Sequence, residues 1–102
     1  MSLRMPRASM HQLEQASVDT ALNVEILEEK AAALGRAGKR AEEALAALRQ
    51  STGEDRENAR LAAAEAVHAY IIQRELCGLR DQQAVYRSYK IPAEVIAILG
   101  AS

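Results

Sequence analysis

Residues 31–40 read AAALGRAGKR, and the two glycines in this stretch decide how the chain folds. Each glycine lowers the stability of a helix by up to ~1 kcal/mol relative to alanine. If Gly35 ends a helix, a tight helical hairpin follows it. If the helix continues, the chain contains one helix of about 40 residues, or ~60 Å. The sequence on either side of the glycines distinguishes the two cases.

Apolar and small residues recur at alternating steps of four and three from about residue 9 to residue 50. Two series make up this pattern: Leu13, Thr20, Leu27, Leu34, Ala41 and Leu48, and Ser17, Val24, Ala31, Gly38 and Leu45. The spacing resembles the heptads of a coiled coil and places both series on one helix face, here called the seam. The seam keeps its phase across the glycines, and no Ser, Asp or Asn follows them to cap a second helix. We therefore expect a helix over 9–50, with a break at 35–38 as the alternative.

A second apolar stripe runs along the opposite side of this helix. This back stripe consists of Val18, Leu22, Ile26 and Ala33. A surface helix of a single domain needs only one apolar face. Two stripes therefore predict that the long helix is sandwiched, either within its own domain or between two copies of the chain. We expect a homodimer with the back stripe at the interface, and the pattern leaves open that the seam faces the second copy instead.

The rest of the chain predicts three further helices. The turn sequence STGED at 51–55 ends the long helix, and a widely apolar helix follows at 55–77. Gly78 is expected to cap that helix in the left-handed conformation, and Asp81 to cap a short helix at 82–89. Pro92 starts a last helix at 92–99. The predicted fold is all-α, with the long N-terminal helix packed against a central buried helix and two short C-terminal helices. Residues 1–8 are expected to be a disordered tail or an expression-vector remnant, so that 9–102 form one domain.

The charge composition narrows the classes of partner. The chain has 13 Lys and Arg against 14 Asp and Glu, a net charge of -1. A nearly neutral protein does not attract nucleic acid or an anionic membrane through its overall field. No stretch approaches the ~18 consecutive apolar residues of a membrane helix. One cysteine permits no internal disulfide, and no secretory signal opens the chain, so we expect a cytoplasmic protein.

One pair of residues suggests a metal site. Glu65 and His68 form a Glu-x-x-His step on one helical face, the step that di-iron carboxylate bundles use twice together with two further glutamates. A homodimer supplies this step twice, with Glu25 or Glu28 of each copy as the added carboxylates. The alternative is a histidine at the edge of the buried face, paired with Glu65 or water. We favour that alternative and expect no metal and no cofactor.

The single cysteine, Cys77, has both a structural and a functional interpretation. Cys77 stands between arginines, which favour a thiolate, but at the C-terminus of a helix, where the dipole disfavours one. We interpret it as a structural cysteine, and whether it is reactive stays open.

Arg36, Lys39 and Arg40 form the one compact basic patch, at 36–40, between pairs of glutamates. Such alternation is typical of a solvated helix, and the alternative is a nucleic-acid accessory or transcription-related protein that uses the patch.

Two segments together carry a family resemblance. They are EILEEKAAALGRAGKRAEEALAAL and VHAYIIQRELCGLRDQQAVYRSYKIPAEVIAILG, of which QRELCGLRD followed by YKIP is the most distinctive part. Over roughly residues 24–100 the chain resembles a family of short bacterial helical proteins of unknown function. The resemblance implies a helical fold and a bacterial cytoplasmic origin. It implies no activity and no site residue.

The inventory of catalytic groups is small. With two histidines and one cysteine, the sequence has no phosphate-binding loop, no zinc-type cysteine spacing and no Ser/His/Asp set. Enzymes can work with carboxylates alone, so an enzyme is disfavoured without being excluded. The sequence favours a non-enzymatic helical module that binds itself and another protein. The alternatives are a nucleic-acid accessory protein and a dimer-bridging metal-carboxylate protein.

Overall fold

The structure is a computed structural model that describes the backbone of residues 7–100 and the side chains of residues 17–100. Four helices follow one another: α1 (Arg7–Gln50), α2 (Asp55–Leu76), α3 (Gln82–Ser88) and α4 (Ala93–Gly100). Within the described range there is no strand. The predicted all-α class, with a long N-terminal helix packed against a second helix and two short ones, is confirmed. The predicted tail lies outside the described residues except for Arg7 and Ala8, which belong to α1.

Helix α1 runs without a break through both glycines. Its 44 residues correspond to a length of ~66 Å. Gly35 is exposed, and a Cβ atom added there would meet no atom within 4 Å. Gly38 is buried, and an added Cβ would lie 3.0 Å from the Tyr89 hydroxyl and 3.2 Å from Cε1 of Tyr70. Gly38 therefore weakens the helix but allows two tyrosine rings to reach its backbone.

Helix α2 packs antiparallel against the C-terminal half of α1. At its start, Arg56 donates a hydrogen bond of 3.2 Å to the carbonyl oxygen of Leu48. Near its end, the Cys77 sulfur lies 3.9 Å from the carbonyl oxygen of Lys30. Because α2 has 22 residues and α1 has 44, α2 ends beside Lys30, and the first half of α1 extends past it.

The core consists of small and aliphatic side chains. On α1 the most deeply buried members belong to the seam: Ala41, Leu45 and Leu48 are each at most 1% exposed, and Ala37 beside the seam is 6% exposed. Helix α3, helix α4 and the connection between them close one end of the helix pair with Val85, Val95 and Ile91, respectively. From α2 the core receives Ala63, Ala64, Val67 and Ile71. Alanine at several facing positions lets the helices approach closely, so the core is compact and narrow.

Short local motifs set the ends of α2 and α3. Gly78 has a φ of 83°, which a residue with a Cβ atom rarely adopts. Its N–H donates to the carbonyl oxygen of Glu75 and that of Leu79 donates to the carbonyl oxygen of Arg74, each at 2.9 Å. These two bonds form a Schellman motif. Asp81 caps α3 by accepting a 3.2 Å hydrogen bond from the N–H of Ala84. Both predicted caps are confirmed.

The molecule is elongated. Its principal extents are 79 × 22 × 19 Å, and the Cα radius of gyration is 21.6 Å. A compact domain of this length has a radius of gyration of about 13 Å. The difference arises because α1 is twice as long as the helix that packs against it.

Candidate functional site

The N-terminal half of α1 presents an apolar surface to solvent. In the projecting segment, defined here as residues 17–32, every side chain is exposed. Five of these side chains are large and aliphatic, and they are 47–64% exposed: Val18, Leu22, Val24, Ile26 and Leu27. Large contiguous apolar patches are uncommon on monomeric soluble proteins and mark interaction sites. The projecting segment is therefore the principal candidate surface.

The exposed side chains follow the two stripes expected from the sequence. The seam continues through Val24 and Leu27, which is 64% exposed, whereas Leu45 on the same face is 1% exposed. On the other side, Val18, Leu22 and Ile26 of the back stripe are about half exposed, and Ala33 is partly buried. The structure thus places Val18, Leu22 and Ile26 on the projecting segment, which no other described helix covers, and Ala33 just beyond its end.

A notch marks the point where α2 leaves the seam. Its volume is about 290 Å³, and its lining includes Leu27, Leu34 and Leu76. Leu76 is 60% exposed because the last turn of α2 has no helix beyond it. Cys77 also lines this notch and is partly exposed. The notch is the boundary between the packed half of α1 and the projecting segment.

Two stacked tyrosines contact α1 at Gly38, inside the packed half and ~12 Å along the axis from Lys30. The ring centroids of Tyr70 and Tyr89 are 5.2 Å apart, with 24° between the ring planes. The Arg74 guanidinium lies 5.8 Å from the centroid of the Tyr70 ring. Burial raises the pKa of the Tyr89 hydroxyl, and its hydrogen bond with Tyr70 raises this pKa further. The sequence pattern did not predict this cluster. The one signal for it was Gly38, because a glycine within the seam leaves room for a bulky side chain to pack against the helix backbone.

The predicted metal candidates do not meet within one chain. Glu65 and His68 are both exposed and line a notch of about 280 Å³ between α2 and α4. Glu25 and Glu28 lie on the projecting segment. Since Tyr70 contacts Gly38, Glu65 and Glu25 are separated by roughly 27 Å along the helix axes. No group of three or more His, Cys, Asp or Glu suited to a metal ion occurs among the residues that the structure describes. A site shared between two copies stays a prediction.

The predicted basic patch lies just beyond the projecting segment. Arg36, Lys39 and Arg40 are all exposed. Arg36 forms an ion pair of 3.5 Å with Glu29, seven residues earlier on the same line of the helix. This pairing agrees with the interpretation of a solvated helix in which charges of both signs alternate. A nucleic-acid role for the patch stays a prediction.

Comparison with known proteins places the chain in a family. The family model described as "Family of unknown function (DUF6665)" matches residues 1–102. The chain belongs to this family. The predicted resemblance to a family of unknown function is thereby confirmed, while a bacterial origin stays a prediction.

The family description assigns no activity, so membership adds no site residue to those the geometry offers. No curated protein and no solved structure matches the chain. Among the described helices, none has the length and hydropathy needed to cross a membrane.

Proposed function

We propose that this chain is a non-enzymatic, homodimeric protein-interaction module that associates through the projecting segment of α1. One observation carries the proposal. Five large aliphatic side chains are about half exposed on a helix that extends beyond its own domain. The dominant feature of the described surface is thus an apolar docking face on a preformed helix.

Burial of the back stripe supplies a driving force for dimerisation. Burying a Val, Leu or Ile side chain completely stabilises a protein by ~1.5–3 kcal/mol. Val18, Leu22 and Ile26 are 51–55% exposed, so covering each would contribute roughly half of that amount. Two copies contribute six such side chains. The sum is on the order of the free energy that a weak complex requires, before the cost of association is subtracted.

The rigidity of α1 also favours association. The helix is continuous from the domain core into the projecting segment, so its side chains are already arranged on fixed faces. A preformed surface loses less conformational entropy on binding than a segment that must fold first. The apolar residues therefore act together as one surface.

The solution mass of the full chain tests this proposal. Light scattering on a gel-filtration column over a roughly hundredfold dilution series should give the mass of two chains at the higher concentrations. The double variant Val18→Asp, Leu22→Asp places two charges in the back stripe and should shift the mass to one chain, because burying unpaired carboxylates is costly.

A matched control adds charge beside the back stripe. Asn23→Asp changes an exposed neighbour that lies between the two stripes, and it should leave the dimer intact. Circular dichroism must show equal helix content in all variants. A wild-type mass of one chain at every concentration would rule out the homodimer and leave the apolar face for a different protein.

A further inference from the structure

The charges on one face of α1 have an order that suits self-recognition. Glu25 and Glu29 precede Ala33 on this face, and Arg36 and Arg40 follow it. Steps of three and four residues keep all five positions within about 80° around the helix. The four charged side chains are exposed. The ion pair between Glu29 and Arg36 shows that their side chains point along one line.

This face is turned away from the rest of the subunit. Ala41, Leu45 and Leu48, which pack against α2, lie roughly 100° or more from it around the helix. We call it the back face. Because α2 covers a different side of α1, the four charged side chains of the back face are exposed on both the projecting segment and the packed half, and Ala33 between them is partly buried.

The order of charges distinguishes the two directions in which a second copy can lie. Glu29 and Arg36 are equally distant from the point between Ala32 and Ala33, and so are Glu25 and Arg40. In a parallel, in-register pair, each charge would face its own like charge. In an antiparallel pair centred on that point, every acid faces a base.

We propose that two copies pair antiparallel through the back face, with the two-fold axis passing between Ala32 and Ala33. This inference rests on the proposed homodimer and specifies its geometry. Glu25 of each copy pairs with Arg40 of the other, and Glu29 pairs with Arg36, so four ion pairs flank the axis. The alanines at the centre let the two helices approach closely. When the dimer forms, the two Glu29–Arg36 ion pairs within the chains are replaced by two Glu29–Arg36 ion pairs between the chains.

The same register gives only one large residue of the back stripe an apolar partner. Val18 lies opposite Ala47, which is exposed in the single chain. Leu22 and Ile26 lie opposite the exposed charged residues Glu43 and Lys39. The order of the charges therefore selects the alignment, and the contact between Val18 and Ala47 adds to it.

Distances between labelled copies test the direction. Two single-cysteine variants, Ala21→Cys and Ala32→Cys, are prepared in full chains that also carry Cys77→Ser, and spin labels are attached. In the proposed dimer the two copies of residue 32 are separated by ~2 Å along the axis, and those of residue 21 by ~35 Å. We therefore expect a short distance at position 32 and a long one at position 21.

Other outcomes separate the inference from the proposed function. Short distances at both positions would mean a parallel dimer, and a long distance at position 32 would mean another register. Either result overturns the antiparallel alignment while the dimer stands. A wild-type protein that is monomeric at every concentration overturns both. The Cys77→Ser parent serves as the control and should match the wild type in solution mass and melting temperature.

Charge reversal tests the ion pairs separately. The double variant Glu25→Arg, Glu29→Arg places an arginine opposite Arg36 and another opposite Arg40 of the second copy, and the dimer dissociation constant should rise about tenfold or more. Adding Arg36→Glu and Arg40→Glu restores an acid opposite every base, and affinity should return to within about threefold of the wild type. A double variant that dimerises normally, or a quadruple variant that stays weak, would overturn the assignment.

Discussion

The two halves of α1 carry the same repeat but have different surroundings. In the packed half, Leu45 and Leu48 are 1% exposed against α2, whereas Leu27 on the same seam is 64% exposed. The difference comes from length alone, since α2 has 22 residues and ends beside Lys30. A heptad-like pattern therefore shows that a helix has an apolar face, while the partner that covers this face depends on the rest of the fold.

The largest expected effect is on the free energy of unfolding, when one leucine in each half of α1 is replaced by alanine. Leu45→Ala removes a fully buried side chain from the core and should lower the free energy of unfolding by about 2–5 kcal/mol. Leu27→Ala removes a mostly exposed side chain of the same kind and should change it by less than about 0.5 kcal/mol. Urea denaturation of both variants, at one low protein concentration, measures the difference. Equal losses would mean that Leu27 is buried in solution.

A smaller effect, on the melting temperature, should distinguish alanine substitutions at the two glycines. Gly35→Ala meets no atom within 4 Å and should stabilise the helix by up to ~1 kcal/mol, or a few degrees in Tm. Gly38→Ala places its Cβ 3.0 Å from the Tyr89 hydroxyl, so the tyrosines must shift and the gain should be lost. Thermal melts followed by circular dichroism should therefore give a lower Tm for Gly38→Ala than for Gly35→Ala. The opposite order would show that the tyrosine stack yields easily.

The smallest expected effect is on the stability of the protein at alkaline pH, and it arises from Tyr89 in the packed half. Burial raises the folded-state pKa of Tyr89 above its ordinary value of 10. The folded state thus favours the neutral phenol, and this stabilisation is complete below ~pH 10 and is lost as the pH rises toward the folded-state pKa. Urea midpoints measured from about pH 9 to pH 11 should fall less steeply for Tyr89→Phe than for the wild type. Tyr86→Phe, which retains the Tyr89 phenol, should keep the wild-type slope.

The fold was largely predictable because its signals are local. The uninterrupted phase of the seam predicted one helix through Gly35 and Gly38, and the structure has one. Gly78 and Asp81 predicted the end of α2 and the start of α3 through conformational freedom and side-chain capping. The tyrosine stack was not predicted. Its position depends on how α3 returns to α1, which is a long-range contact that no local pattern encodes.

The candidate surface was predictable only in part. Steps of four predicted the back stripe, and the structure leaves Val18, Leu22 and Ile26 about half exposed. The sequence could not show that α2 stops beside Lys30, so which stripe remained uncovered was open. Arg36 and Arg40 were interpreted only as part of a basic patch. The symmetry between these arginines and the preceding glutamates became meaningful once the structure showed that the face is open.

A long helix held only along half its length behaves mechanically as a lever. The pivot lies beside Lys30, where α2 ends and the Cys77 sulfur approaches the Lys30 carbonyl oxygen. From there the axis extends ~35 Å to Arg7. A tilt of roughly 5° at this point displaces the far end of the helix by about 3 Å. A small change in the direction of the helix is converted in this way into a larger shift of its remote end.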